Sequence, residues 1–71
     1  MHNKYEHYSM DMLWSVKDEV YVVYVPELPG CQASGTTREE AVDNALEAIK
    51  HWIDEKEALG EPIPAPSLYV G

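Results

Sequence analysis

The sequence contains no phenylalanine, a single cysteine, and only five basic residues among 71. Each scarcity excludes something. Cys31 alone cannot make an internal disulfide, so the commonest staple of a very small fold is missing. Lys4, Lys17, Arg38, Lys50 and Lys56 are scattered and stand against thirteen acids, for a net charge of −8. Phosphate backbones are held by clustered bases, so direct nucleic-acid binding by this chain is not expected. No apolar run approaches the roughly 18 residues of a membrane span, and the opening stretch Met1, His2, Asn3, Lys4, Tyr5, Glu6 lacks a signal peptide's apolar block. The expected address is the cytoplasm. His2, His7 and His51 share no metal-ligand spacing, and Gly30 and Gly35 form no phosphate-cradling pattern, so neither metal nor cofactor is expected. Cys31 has no activating base near it in the sequence, which makes it a packing residue.

What remains is 45% hydrophobic, enough for a globular domain. A chain this short hides only about 60% of the surface its unfolded form exposes. Its own core is therefore marginal, and a homo-oligomer (dimer or tetramer) or a protein partner is expected to supply the missing burial. Residues 1–7 read as a flexible N-terminal segment and residues 8–71 as a single domain.

Along residues 8–16, Tyr8, Met10, Met12, Trp14 and Val16 alternate with more polar neighbours, the period of a strand with one buried face. Residues 20–25 are continuously apolar and rich in β-formers, which predicts a second strand. If Lys17-Asp18 is a two-residue loop, opposed residues sum to thirty-five. Trp14 then meets Tyr21, Met12 meets Val23 and Met10 meets Val25 on one side. Leu13 lies beside Val22, and Asp11 beside Tyr24, on the other. A loop longer by one residue would invert the second strand.

Pro26 ends the ladder for want of a donor or sits at an edge, and Glu27-Leu28-Pro29-Gly30 reads as a corner with a type II turn. Residues 31–35 form a short strand whose inward positions, Cys31, Ala33 and Gly35, are small enough to let a helix approach closely. Thr37 followed by Glu40 is a capping box, and the stripe Ala41, Val42, Ala45, Leu46, Ala48, Ile49, Trp52, Ile53 has helical period. Gly60 is a helix stop, residues 61–66 should run as polyproline II, and residues 67–70 carry enough β-propensity for a last strand. The expected fold is α+β, β-β-β-α-β, an antiparallel sheet with one helix on one face.

The segment Pro26-Glu27-Leu28-Pro29-Gly30-Cys31, followed by Gly35-Thr36-Thr37-Arg38-Glu39-Glu40-Ala41 and by Ile49 to Trp52, resembles the HicB-type antitoxin domain. The resemblance covers residues 13–66. It implies a partial ribonuclease-H-like fold, association into dimers or tetramers, and neutralisation of a HicA-type toxin, a small basic mRNA-cleaving protein. Longer members add a C-terminal DNA-binding module; the sequence as far as Gly71 shows none, so the likeness is to a stand-alone form. The structural motif is carried by Pro26, Leu28, Pro29, Gly30, Gly35, Thr37 and Glu40.

Three functions follow for comparison. In the first, a non-catalytic antitoxin uses acidic and apolar surface. Leu13, Val22 and Tyr24 are candidates for an apolar partner or oligomer contact on the open sheet face. Asp43, Glu47, Asp54, Glu55 and Glu57 are candidates for facing a basic partner, since the helix dipole disfavours the last three where they stand. The second is an orphan self-assembling structural or regulatory domain without a toxin. The third is a divalent-metal nuclease, which would need Asp11, Glu39, Glu40 and Asp43 to converge.

Overall fold

Alternating apolar residues and a run of β-branched and aromatic side chains produce three consecutive antiparallel strands, and the alanine-rich segment after them produces one long helix. The computed structural model describes residues 7–69. The strands are β1 (Asp11–Ser15), β2 (Val20–Tyr24) and β3 (Gln32–Gly35), in sheet order β1-β2-β3, followed by α1 (Arg38–Ala58). The fold is α+β.

The β1–β2 register is the expected one, from Asp11 opposite Tyr24 to Ser15 opposite Val20. The connection, however, spans four residues rather than two. The Glu19 N–H donates to the Ser15 carbonyl at 2.8 Å and Glu19 takes a left-handed φ of 55°. Two-residue hairpin loops favour Gly or Asn at positive φ, and Lys17-Asp18 offers neither. Because four and two are both even, the side chains keep their faces.

Val25 donates to Cys31 at 3.1 Å, Leu28 to Val25 at 3.1 Å and Cys31 to Leu28 at 2.9 Å, so two successive turns carry the chain from β2 into β3. The second has Pro29 and Gly30 at its centre, with Gly30 at φ 80°, which is the expected type II turn.

Helix α1 starts where Thr37 Oγ1 accepts the Glu40 N–H at 3.1 Å. The return arm of the capping box is displaced by one residue: the Glu40 carboxylate accepts from the Thr36 N–H at 3.0 Å instead of from Thr37. At the other end the Gly60 N–H reaches the Glu57 carbonyl and the Glu61 N–H the Lys56 carbonyl, both at 3.0 Å, with Gly60 at φ 71°. This is a Schellman stop.

Ala41, Ala45, Ile49 and Ile53 bury one stripe of α1, packing in two adjoining clusters. Val23 meets Ala41 and Ala45; Tyr8, Val25, Leu28 and Cys31 meet Ile49 and Ile53. The helix packs chiefly on β3 and β2, and of β1 only half-buried Met12 joins the cluster formed by Val23, Ala41 and Ala45. Trp14 and Val16, expected on the sheltered side, are accordingly 50% and 82% exposed.

Two expectations change at the chain's ends. The last strand is absent among the described residues: 67–69 join no ladder, and Val70 lies outside them. Pro62, Pro64 and Pro66 donate nothing, and the first donor of the expected strand, the Ser67 N–H, is taken by the Glu27 carboxylate at 2.8 Å. Of the N-terminal segment expected over 1–7, residues 1–6 lie outside the described residues, while His7 is an exposed turn residue directly before buried Tyr8.

Candidate functional site

The Pro26-to-Cys31 corner is the organising centre of the chain. Leu28 is fully buried against Ile49 and Ile53, and the Pro29 carbonyl accepts the Trp52 indole N–H at 3.0 Å. This is why the corner and the Ile49-to-Trp52 pair occur together: one turn of helix clamps one turn of loop. Lys56 lies over the Trp52 ring at 5.4 Å and bridges to Glu61 at 3.0 Å, fixing the start of the proline-rich exit.

Glu27, within the same corner, ties three remote segments together. Its carboxylate accepts the Ser9 N–H at 3.0 Å, the Ser9 hydroxyl at 2.9 Å and the Ser67 N–H at 2.8 Å. Burial alone would raise its pKa. The hydrogen bonds from Ser67, Ser9 and its own backbone outweigh burial and lower the pKa from 4.5 to about 2. Beside it the Tyr8 hydroxyl donates to the Pro64 carbonyl. Nothing local in the sequence signals this hub, because Ser9 and Ser67 lie 18 and 40 residues away.

Gly35 and Thr37 mark where β3 passes under the helix start. A Cβ on Gly35 would stand 2.4 Å from the Ala41 nitrogen, so the approach requires glycine. Arg38 sits over the Tyr21 ring at 4.9 Å, and Trp14 meets the same ring edge-on at 4.9 Å.

Two surfaces emerge. On the sheet face away from α1, Leu13 pairs directly with Val22 while Tyr24 lies opposite Asp11, so the three apolar candidates share one patch. They floor a shallow groove with Val20, Ala33 and Ser34, rimmed by Asp18 and Gln32. No basic side chain lines it. The outer ridge of α1 holds the acids: Asp43, Glu47, Asp54 and Glu57 are all exposed and recur with Lys50 at steps of three and four residues. Glu55 leaves this ridge and lies 3.5 Å from His51. His51 therefore faces Glu55, one turn after it, rather than Glu47, one turn before it. The apolar patch and the acidic ridge are on opposite sides of the molecule, so one flat contact cannot use both.

The four carboxylates of the nuclease reading do not converge. Asp11 is on the open face beside Tyr24, whereas Glu39, Glu40 and Asp43 belong to the helix on the other face, next to the Tyr21–Gly35 end of the sheet. Among the described residues no three His, Cys, Asp or Glu side chains are grouped as a metal site. Cys31 is buried, and burial pushes its thiol pKa upward, opposite to an activated nucleophile. No helix of the described residues is long and apolar enough to cross a membrane.

Comparison with known proteins adds a family. Residues 10–69 match the family model described as "HicB_like antitoxin of bacterial toxin-antitoxin system". A UPF0150 protein of Thermoplasma acidophilum is 46% identical over 48 residues, covering 68% of this chain and 70% of its own. A UPF0150 protein of Synechocystis is 40% identical over 53 residues, covering 75% and 67%. An uncharacterised 14.9 kDa protein of Haemophilus phage HP1 is 53% identical over 34 residues, which span 48% of this chain but 26% of the phage protein. No solved structure matches.

Proposed function

The chain belongs to the HicB-like antitoxin family, and from that premise we propose that it is a non-catalytic antitoxin that binds and neutralises a small basic HicA-type toxin in the cytoplasm. The observation that carries the reading beyond the family is the ridge of Asp43, Glu47, Asp54 and Glu57. Two of these acids, Asp54 and Glu57, lie near the C-terminal end of the helix, where the dipole disfavours anions. A basic RNA-cleaving protein must present positive charge to its substrate, and an acidic ridge competes for that charge while speeding encounter. Leu13, Val22 and Tyr24, on the far side, are left for a second contact with a copy of this chain or with the partner's apolar surface.

The test is neutralisation. The small basic protein encoded in the adjacent reading frame is assayed for RNA cleavage with increasing amounts of this chain. Stoichiometric loss of cleavage is expected, and Asp43→Lys with Glu47→Lys should need about tenfold more protein, as two close charge reversals costing about 1.4 kcal/mol together imply. Absence of any basic neighbour, or cleavage unaffected by the chain, would replace this reading with that of an orphan assembly domain.

A further inference from the structure

We infer that residues 8–9, before β1, and residues 62–67, after α1, are the two arms of one latch. They close on the Pro26-to-Cys31 corner and open from it together, with the Glu27 carboxylate as the keeper.

Neither arm belongs to the body of the fold. The β1 ladder begins at Asp11, and residues 62–67 carry no regular structure. Side chains hold both arms in place. Ile63 is half-buried against the cluster that contains Tyr8, Leu28 and Ile53, and the Tyr8 hydroxyl donates to the Pro64 carbonyl. The Ser9 and Ser67 N–H groups meet on Glu27, at 3.0 and 2.8 Å. The body keeps its own ties when these are broken: Val23 packs on Ala41 and Ala45, and the Trp52 indole donates to the Pro29 carbonyl at 3.0 Å. Segments held by few contacts open at less cost than the whole fold.

The arms cannot leave the corner singly. Pro62, Pro64 and Pro66 fix φ at alternate positions, so the stretch from 62 to 67 is stiff and lifts as one piece. Its hinge is the Schellman stop, where Gly60 takes a φ of 71° and Lys56 holds Glu61 at 3.0 Å. When this arm lifts, the Tyr8 hydroxyl loses its Pro64 acceptor, the cluster loses Ile63, and Glu27 loses the Ser67 donor. When Tyr8 and Ser9 lift, the Pro64 carbonyl loses that hydroxyl and Glu27 loses the Ser9 N–H and hydroxyl. Each departure removes what holds the other arm, so opening is cooperative and the coupling is reciprocal. A molecule that captures either arm in its open form therefore frees the other, at the opposite end of the described chain.

Native-state hydrogen exchange of the full chain, read amide by amide at low urea concentrations, tests the latch and needs neither a toxin nor the antitoxin reading. The Ser9 and Ser67 N–H groups report the two arms, and the N–H of buried Val23, in the central strand, reports the body. Ser9 and Ser67 should share one opening free energy and one urea slope, both smaller than those of Val23. Ile63→Ala alters only the C-terminal arm. It should nevertheless speed exchange at Ser9 and Ser67 alike, by about tenfold, the equivalent of about 1.4 kcal/mol of lost packing. Lys50→Gly, on the exposed side of α1, weakens only the body; it should speed Val23 about fourfold and leave both arms unchanged. Acceleration of Ser67 without Ser9 in Ile63→Ala would mean that the arms open separately, and overturns the inference. So does a response of the arms to Lys50→Gly, which would mean that they open only with the whole fold. Exchange at Ser9 and Ser67 as fast as in an unstructured peptide overturns it too, because the latch then does not close.

Discussion

Replacing Gly35 by alanine should damage this fold out of proportion to one methyl group. The added Cβ would lie 2.4 Å from the Ala41 nitrogen, 2.8 Å from the Glu40 carbonyl carbon and 2.9 Å from the Ala41 Cα. All three are backbone atoms of the first helical turn, so no rotamer change relieves the contact. The helix start must lift from β3, loosening the packing of Ala41 and Ala45 on Val23. Overpacking of this kind costs about 1–3 kcal/mol. Alanine recovers only about 0.5–1 kcal/mol through its stiffer unfolded chain. The rigidity of the obstacle places the net loss near 2 kcal/mol, against a total stability of about 4–10 kcal/mol for 71 residues. With a urea slope of about 1 kcal/mol/M, the unfolding midpoint should fall by about 2 M with the slope unchanged. Adding Ala41→Gly should not restore it, because the obstructing atoms are not side chain. Gly30→Ala, which meets nothing within 4 Å, should lose only the roughly 1–2 kcal/mol of a non-glycine residue at positive φ. A Gly35→Ala midpoint within about 0.5 M of the parent, or full recovery by Ala41→Gly, would refute the close-approach argument.

Two further outcomes follow from the groups with shifted pKa values. Because folding lowers the Glu27 pKa from 4.5 to about 2, the stabilisation from its ionised form is complete above pH 4.5 and is lost as pH falls toward 2. Such a shift corresponds to at most about 3.4 kcal/mol, and solvent exposure reduces this to about 1–2. Glu27→Gln should flatten stability between pH 4.5 and 2 in acid-unfolding curves; a parent curve already flat there would contradict the clasp. Cys31, buried with its thiol pKa pushed up, should react with a disulfide reagent only as the protein unfolds, so labelling should accelerate in step with urea. Rapid labelling in buffer would show that the corner opens.

Much of this architecture is legible from residues alone because local rules and tertiary demands coincide. The β1–β2 register follows from the apolar alternation, and survives an incorrect loop length because only parity matters. The Pro29-Gly30 turn, the Thr37 cap and the Gly60 stop each follow from backbone geometry that few residues tolerate. The buried stripe of α1 follows from its period. What escapes is set by relations between distant segments. The last strand is plausible by propensity, yet Glu27 takes the Ser67 donor, and Leu68 and Tyr69 remain 66% and 96% exposed. Alternation tells which side of β1 faces inward, but not that the shelter of the helix reaches only as far as Met12, so Trp14 and Val16 read as core and are not. Of the candidate contact residues, Leu13, Val22 and Tyr24 fall together as expected. Four of the five acids share a ridge, while Glu55 turns aside to His51. That the two sets occupy opposite sides could not be read from spacing, since it depends on which face of the sheet the helix covers.

The salt dependence of toxin association tests the central claim most directly. Stopped-flow mixing of this chain with a small basic protein encoded in a neighbouring reading frame, the partner proposed above, from about 50 to 500 mM salt, should show an association rate that falls steeply with ionic strength. The Asp43→Lys, Glu47→Lys chain should start slower and fall less. An association rate indifferent both to salt and to those two reversals would contradict it.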